Sequence, residues 1–100
     1  MLKKDLIELC LLHLLAQKDQ YGYELLRQLR ESFPDTQESV IYASLQGLCR
    51  DGCSEQYLSE SSDGPARKYY RVTAQGKVRC AALLERWRAL TAALARLGVQ

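Results

Sequence analysis

The stretch Gly64-Pro65-Ala66-Arg67-Lys68-Tyr69-Tyr70-Arg71-Val72-Thr73-Ala74-Gln75-Gly76 decides how the rest of the chain is read. Its Gly-Pro pair closes a turn cluster that begins at Ser61 and reads as the flexible tip of a hairpin. Arg67 to Thr73 follows as a strand, with Tyr69, Tyr70 and Val72 as good strand formers. Alternation puts Arg67, Tyr69 and Arg71 on one side and Lys68, Tyr70 and Val72 on the other, so one tyrosine is expected to pack inward. Thr73 then offers its hydroxyl as the N-cap of a helix beginning near Ala74. Gly76 at the third helical position removes the reciprocal half of a capping box. From Arg67 to Arg79 five residues are basic and none is acidic.

Working back from this strand, Cys53 to Glu60 contains Tyr57 and Leu58 and is its hairpin partner. A helix from about Glu38 to Arg50 precedes it, with Ile41, Leu45 and Leu48 inward, and Asp51-Gly52 stops it. At 100° per residue, its opposite face carries Ser39, Ala43, Gln46, Gly47 and Arg50. Residues 22–33 form another helix, with Leu25, Leu26, Leu29 and Phe33 inward and Pro34 as terminator. Lys18-Asp19-Gln20 reads as a short polar connection. Residues 5–17 are a first helix that is apolar on most faces: Leu6, Leu9, Cys10, Leu14 and Leu15 fill one side, and Ile7, Leu11 and Leu12 much of the rest. Such a helix is surrounded by protein, part of it expected from a second chain.

Downstream, Cys80, Leu83, Trp87, Leu90, Leu94 and Leu97 recur at spacings of 3, 4, 3, 4 and 3, a short heptad seam. Six alanines between 81 and 97 favour the helix. The order is three helices, a hairpin and a long helix. That is a mainly α fold with a small β-hairpin: a winged helix-turn-helix over residues 1–73, with 74–100 as a C-terminal dimerisation helix.

Composition narrows the function. The chain has 100 residues, 47% hydrophobic and 26% charged, which excludes disorder. No apolar run approaches the roughly 18 residues of a membrane span, because Glu8 and His13 interrupt Leu6 to Ala16. Lys3 and Lys4 precede that run as in a signal peptide, but no small-residue cleavage site follows, so a cytoplasmic protein is expected. The net charge of +2 conceals a split: residues 1–63 hold 6 basic and 11 acidic residues, and residues 64–100 hold 8 basic and 1 acidic. One basic surface for an anionic partner follows, with double-stranded DNA the first candidate.

Catalysis has no support. There is no Gly-rich phosphate loop, no HExxH and no nucleophile set with recognisable local signals. The cysteines form no Cys-x-x-Cys pair, and His13 is the only histidine, so neither a metal site nor a cofactor is expected. Cys10 and Cys80 read as small buried apolar residues, and His13 as a core or interface histidine. For DNA, Gln37 and Gln46 can bond adenine edges, Ser39 a phosphate or base, and Ala43 can meet a thymine methyl. Arg50 lies nearer the backbone, while Arg67 and Lys68 on the hairpin can reach phosphates. Asp35 and Glu38 repel phosphate, and the acidic first 63 residues keep open a winged-helix protein–protein interaction module without DNA binding.

Tyr21-Gly22-Tyr23-Glu24-Leu25, Ile41-Tyr42 with Leu45 and Leu48, Asp51-Gly52 and the opening stretch together resemble the PadR family of bacterial transcriptional regulators. The resemblance covers nearly the whole chain, and Gly-Pro-x-Arg-Lys-Tyr-Tyr-x-x-Thr-x-x-Gly is its most specific part. It implies a homodimeric winged-helix repressor acting on a pseudo-palindromic operator. The third helix would be the recognition helix with Tyr42 as the family tyrosine, and Arg67 and Lys68 would be the wing pair. Trp87 resembles the tryptophan of the short-tailed subfamily, which has a single C-terminal dimerisation helix. The resemblance implies a dimer interface of Leu6, Cys10, Leu83, Trp87, Leu90, Leu94 and Leu97. It also implies an effector site of Trp87, Leu84 and Thr91 for a flat hydrophobic small molecule, against the simpler reading that Trp87 fills the interface. Cys53-Ser54 stands where an apolar strand start is common, and looser wing packing is expected there.

Overall fold

Thr73 caps the last helix as its position predicts: its hydroxyl accepts from the Gly76 amide at 3.0 Å. The Thr73 amide also donates to the Cys53 carbonyl at 3.1 Å, which draws the helix start down onto the hairpin. Gly76 is required by that approach. A Cβ there would stand 2.0 Å from the Cys53 oxygen and 2.8 Å from Cγ2 of Val72.

The computed structural model describes residues 1–61 and 64–100. In chain order the elements are α1 (Lys3–Gln17), β1 (Gln20–Tyr21), α2 (Gly22–Ser32), α3 (Glu38–Arg50), β2 (Ser54–Ser61), β3 (Gly64–Val72) and α4 (Ala74–Arg96). Part of the expected flexible tip, Ser62-Asp63, lies outside the described residues. The sheet is antiparallel with order β1-β3-β2. It therefore has a third strand in addition to the expected hairpin. Gln20, read as part of a connection, pairs with Tyr70, and Tyr21 pairs with Tyr69.

The core is one cluster around α1. Ile7, Leu11, Leu12 and Leu15 meet Leu25, Leu26 and Leu29 of α2, Ile41, Leu45 and Leu48 of α3, and Cys53, Tyr70 and Leu83. This explains the apolar excess of α1: α2, α3, α4 and β3 all pack against it within one chain. Tyr70 is the inward tyrosine, 3% exposed. Cys53 and Ser54 do not loosen the wing. Both are buried, and Ser54 donates its hydroxyl to the Arg71 carbonyl at 3.0 Å. Small residues are what permit the close crossing at Gly76.

One expectation is corrected and one is narrowed. Leu83, expected at a dimer interface, is 6% exposed and belongs to the core of its own chain. His13 is neither core nor buried; it is exposed on α1, with Nε2 2.9 Å from the Gln17 amide. Among the described residues no helix is long and apolar enough to cross a membrane.

Candidate nucleic-acid interface

α3 buries Ile41, Ser44, Leu45 and Leu48 and turns Ser39, Tyr42, Ala43, Gln46 and Arg50 outward. Gln37 is its N-cap residue: the backbone carbonyl accepts from Val40 at 3.1 Å, and the side chain makes no cap bond. That leaves the Gln37 amide available. Glu38, which would repel phosphate, pairs with Arg30 at 3.1 Å. Gln46 is not fully free, since its amide donates to the Tyr70 hydroxyl at 3.3 Å. Burial pushes that hydroxyl above its ordinary value, so it stays protonated in the contact. Tyr42 and Tyr70 both crowd Gly22. A Cβ on Gly22 would lie 3.3 Å from the Tyr70 ring and 3.7 Å from the Tyr42 ring. A glycine at the first residue of α2 thus lets the two tyrosines and the helix start share one place.

The wing divides Arg67 and Lys68 between its two faces. Arg67 lies with Tyr69 and Arg71 on the outer face, and Lys68 lies opposite Leu58 on the other. Across the outer face runs a row of rings: Tyr21 and Tyr69 at 5.9 Å between centroids, and Tyr69 and Tyr57 at 5.8 Å. Tyr23 extends the row beside Tyr21 at 6.3 Å. Arg67 sits over the Tyr21 ring at 4.8 Å, and Arg71 over Tyr57 at 5.0 Å. Arg71 is also paired with Glu55 at 3.0 Å, whereas no salt bridge engages Arg67 or Lys68 among the described residues. The ring row was not foreseen, because it depends on β1, a strand of only two residues.

A second unforeseen cluster ties α3 to the rest. Arg79 of α4 reaches Glu8 of α1 at 3.1 Å and Asp51, the α3 C-cap, at 3.2 Å. Its hydrogen bond to Asp51 is the main reason that carboxyl sits below its ordinary value. Gln75 donates to the Asp51 carbonyl at 3.1 Å, and Thr73 donates to the Gly52 carbonyl at 2.7 Å. The end of α3 is thereby fixed to the start of α4. Glu8 and Arg79 are 71 residues apart, so no local spacing could have revealed the pair.

Residues 11–82 match the transcriptional regulator PadR-like family. The chain belongs to that family. A PadR member is a DNA-binding transcriptional regulator and not an enzyme. The chain is similar to a transcriptional regulator of Streptococcus at 33% identity and TM-score 0.86, over 96% of this chain and 95% of that one. A PadR family transcription regulator of Clostridium difficile is similar at 29% identity and TM-score 0.81, over 91% and 96% of the two chains. An uncharacterised protein of Lysinibacillus sphaericus is 33% identical over 94 residues, 87% of this chain and 86% of that one.

Within the PadR fold, the remaining expected residues fall into three places. Leu6 and Cys10 are half-buried on α1. Trp87, Leu90 and Leu94 are each 39% exposed and Leu97 81%, along the part of α4 beyond Leu83. Leu84 and Trp87 line a cavity of about 530 Å³ between α1, α2 and α4, together with Leu9, Cys10, His13, Phe33 and Cys80. Thr91 does not join them. Its hydroxyl donates back to the carbonyls of Trp87 at 3.2 Å and Arg88 at 3.0 Å.

Proposed function

We propose that two copies of this regulator pair through the exposed part of α4 and the outer side of α1, and so present two α3 helices to a pseudo-palindromic operator as a repressor. One observation carries the reading: among the described residues no salt bridge engages Arg67 or Lys68 on the wing, and α3 turns Ser39, Ala43 and Gln46 outward. Phosphate contacts from the wing would set position. Gln37, Ser39, Ala43 and Gln46 would meet base edges, with Tyr42 and Arg50 near the backbone. Half-sites about one helical turn apart need two recognition helices at fixed separation, which the leucines beyond Trp87 would supply. A flat apolar molecule in the cavity at Leu84 and Trp87 would release the operator by favouring another spacing of the two halves.

Fluorescence anisotropy on duplex DNA from upstream of the protein's own gene tests this reading across a salt titration. The Arg67→Ala, Lys68→Ala double variant is expected to bind every sequence more weakly, with the salt slope shallower by about 4, two phosphate contacts being lost on each of two subunits. An unchanged slope would remove the wing from the interface. Gln46→Ala should instead relax preference at particular base pairs, and a uniform loss would count against base reading. Affinity for another protein at high salt, with none for DNA, would favour the protein–protein module.

A further inference from the structure

The cavity between α1, α2 and α4 holds chemistry that DNA binding does not use. Cys10 of α1 and Cys80 of α4 both line it, and both are free thiols. The rest of its wall is mostly apolar, with Leu9, Phe33, Leu84 and Trp87, and also includes His13 and Glu31. At about 530 Å³ it is of a size to take a small ligand on its open side. Burial pushes both thiols above their ordinary value, and Cys80 lies near enough to Cys10 for a charge on one to oppose a charge on the other. A ligand that needs two thiolates is therefore disfavoured. Among the described residues no group of three His, Cys, Asp or Glu could hold a metal, so a tetrahedral metal ion is a poor fit. Two soft, neutral sulfurs from different helices, beside an indole, suit an uncharged thiophilic molecule with a flat apolar body.

We propose that Cys10 and Cys80 form a two-sulfur site for an aryl trivalent arsenical, whose ring lies against Leu84 and Trp87. The arsenic exchanges two hydroxyl groups for two sulfurs. Two As–O bonds break and two As–S bonds form. Each thiol proton leaves with a hydroxyl as water, and no atom changes oxidation state. Reactants and product are all uncharged, so the step places no new charge against the half-buried thiols. The adduct would clip α1 to α4, the two helices of the proposed pairing surface. Its effect on DNA rests on the proposed function, whereas capture of the arsenical does not.

The test uses the full chain, kept reduced, with phenylarsine oxide as probe. Trp87 is the only tryptophan, so its fluorescence reports on this cavity directly. One arsenic per chain by intact mass is expected, with Trp87 emission quenched and restored by 2,3-dimercaptopropanol. Cys10→Ser and Cys80→Ser should each weaken capture by about a hundredfold or more, because the second bond forms at high effective concentration. Cys10→Ala and Cys80→Ala should do the same with the helical circular dichroism retained. Cys49→Ser, outside the cavity, should leave capture intact. The site is overturned if capture survives loss of either cavity thiol, if Cys49→Ser abolishes it, or if Trp87 emission does not respond. Operator affinity is then measured with and without the probe. Capture with unchanged affinity upholds the site and contradicts release. Loss of capture with normal DNA binding contradicts the site and leaves the DNA reading standing.

Discussion

The two halves of α4 look alike in sequence and live in different surroundings. From Ala74 to about Leu83 the helix is bound into its own chain: Thr73 caps it, Gly76 crosses Cys53, Arg79 joins Glu8 and Asp51, and Leu83 enters the core. From Trp87 to Leu97 the same seam continues, but its leucines remain 39% exposed or more. An unbroken heptad pattern thus serves first to anchor a helix and then to offer an apolar edge. The difference comes from what lies opposite. α1 ends its company with α4 at Asp5 and Arg86, which are 3.7 Å apart. Beyond that pair, hydrophobic side chains of α4 have little of their own chain to bury against, and a second copy is the natural cover.

The anchored half can be broken hardest at Gly76. Gly76→Ala places a methyl 2.0 Å from a backbone oxygen, which cannot yield as a side-chain tip would. A loss of about 4 kcal/mol or more is expected, or a fall of roughly 15–30 °C in the thermal midpoint, read by circular dichroism. A midpoint within a few degrees of wild type would mean that α4 is not held there. Leucine truncation sharpens the contrast at smaller scale. Leu83→Ala should cost about 2–5 kcal/mol in a urea melt. Leu97→Ala, 81% exposed, should stay within about 0.5 kcal/mol under conditions where the chain is single. Equal losses would erase the distinction between the halves.

An effect smaller than at Gly76 or Leu83 is expected at Arg79, and it shows in its pH dependence. In the folded state the Asp51 carboxyl is held below its ordinary value by Arg79. Its contribution to stability is therefore fully present above the unfolded carboxylate range, near pH 4, and is lost as pH falls through the lowered folded value. Arg79→Met should abolish that part of the acid-side loss. It should also lower stability at neutral pH by about 1–3 kcal/mol, because among the described residues Glu8 keeps only Lys4, at 4.0 Å. Melts from pH 2 to 7 check both. An unchanged acid limb would remove the Arg79–Asp51 contact from the account.

Much of the fold was legible because it rests on local signals. The hydroxyl of Thr73, the i, i+4, i+7 apolar row of α3 and the alternation that turned Tyr70 inward each speak within a few residues. Long-range facts did not. β1 is two residues and carries no alternation, so only its pairing with Tyr69 and Tyr70 defines it. The seam could not say where α1 stops covering it, and so Leu83 was grouped with Leu90 and Leu94. At the DNA-facing surface, residue types were readable on α3 and the wing. The Gln46–Tyr70 bond, the ring row under Arg67 and the Arg79 cluster arise from residues brought together only by folding. The acidic excess of the first 63 residues is partly offset by folding, since Arg79 of α4 reaches both Glu8 and Asp51.

Sedimentation equilibrium across micromolar concentrations tests the central claim, that the outer half of α4 joins two chains. The account predicts twice the chain mass for the wild type, a single chain for Leu90→Glu with Leu94→Glu, and matching thermal melts for the monomeric state of both. A wild type that sediments as one chain throughout, or a double variant that still pairs, would contradict it.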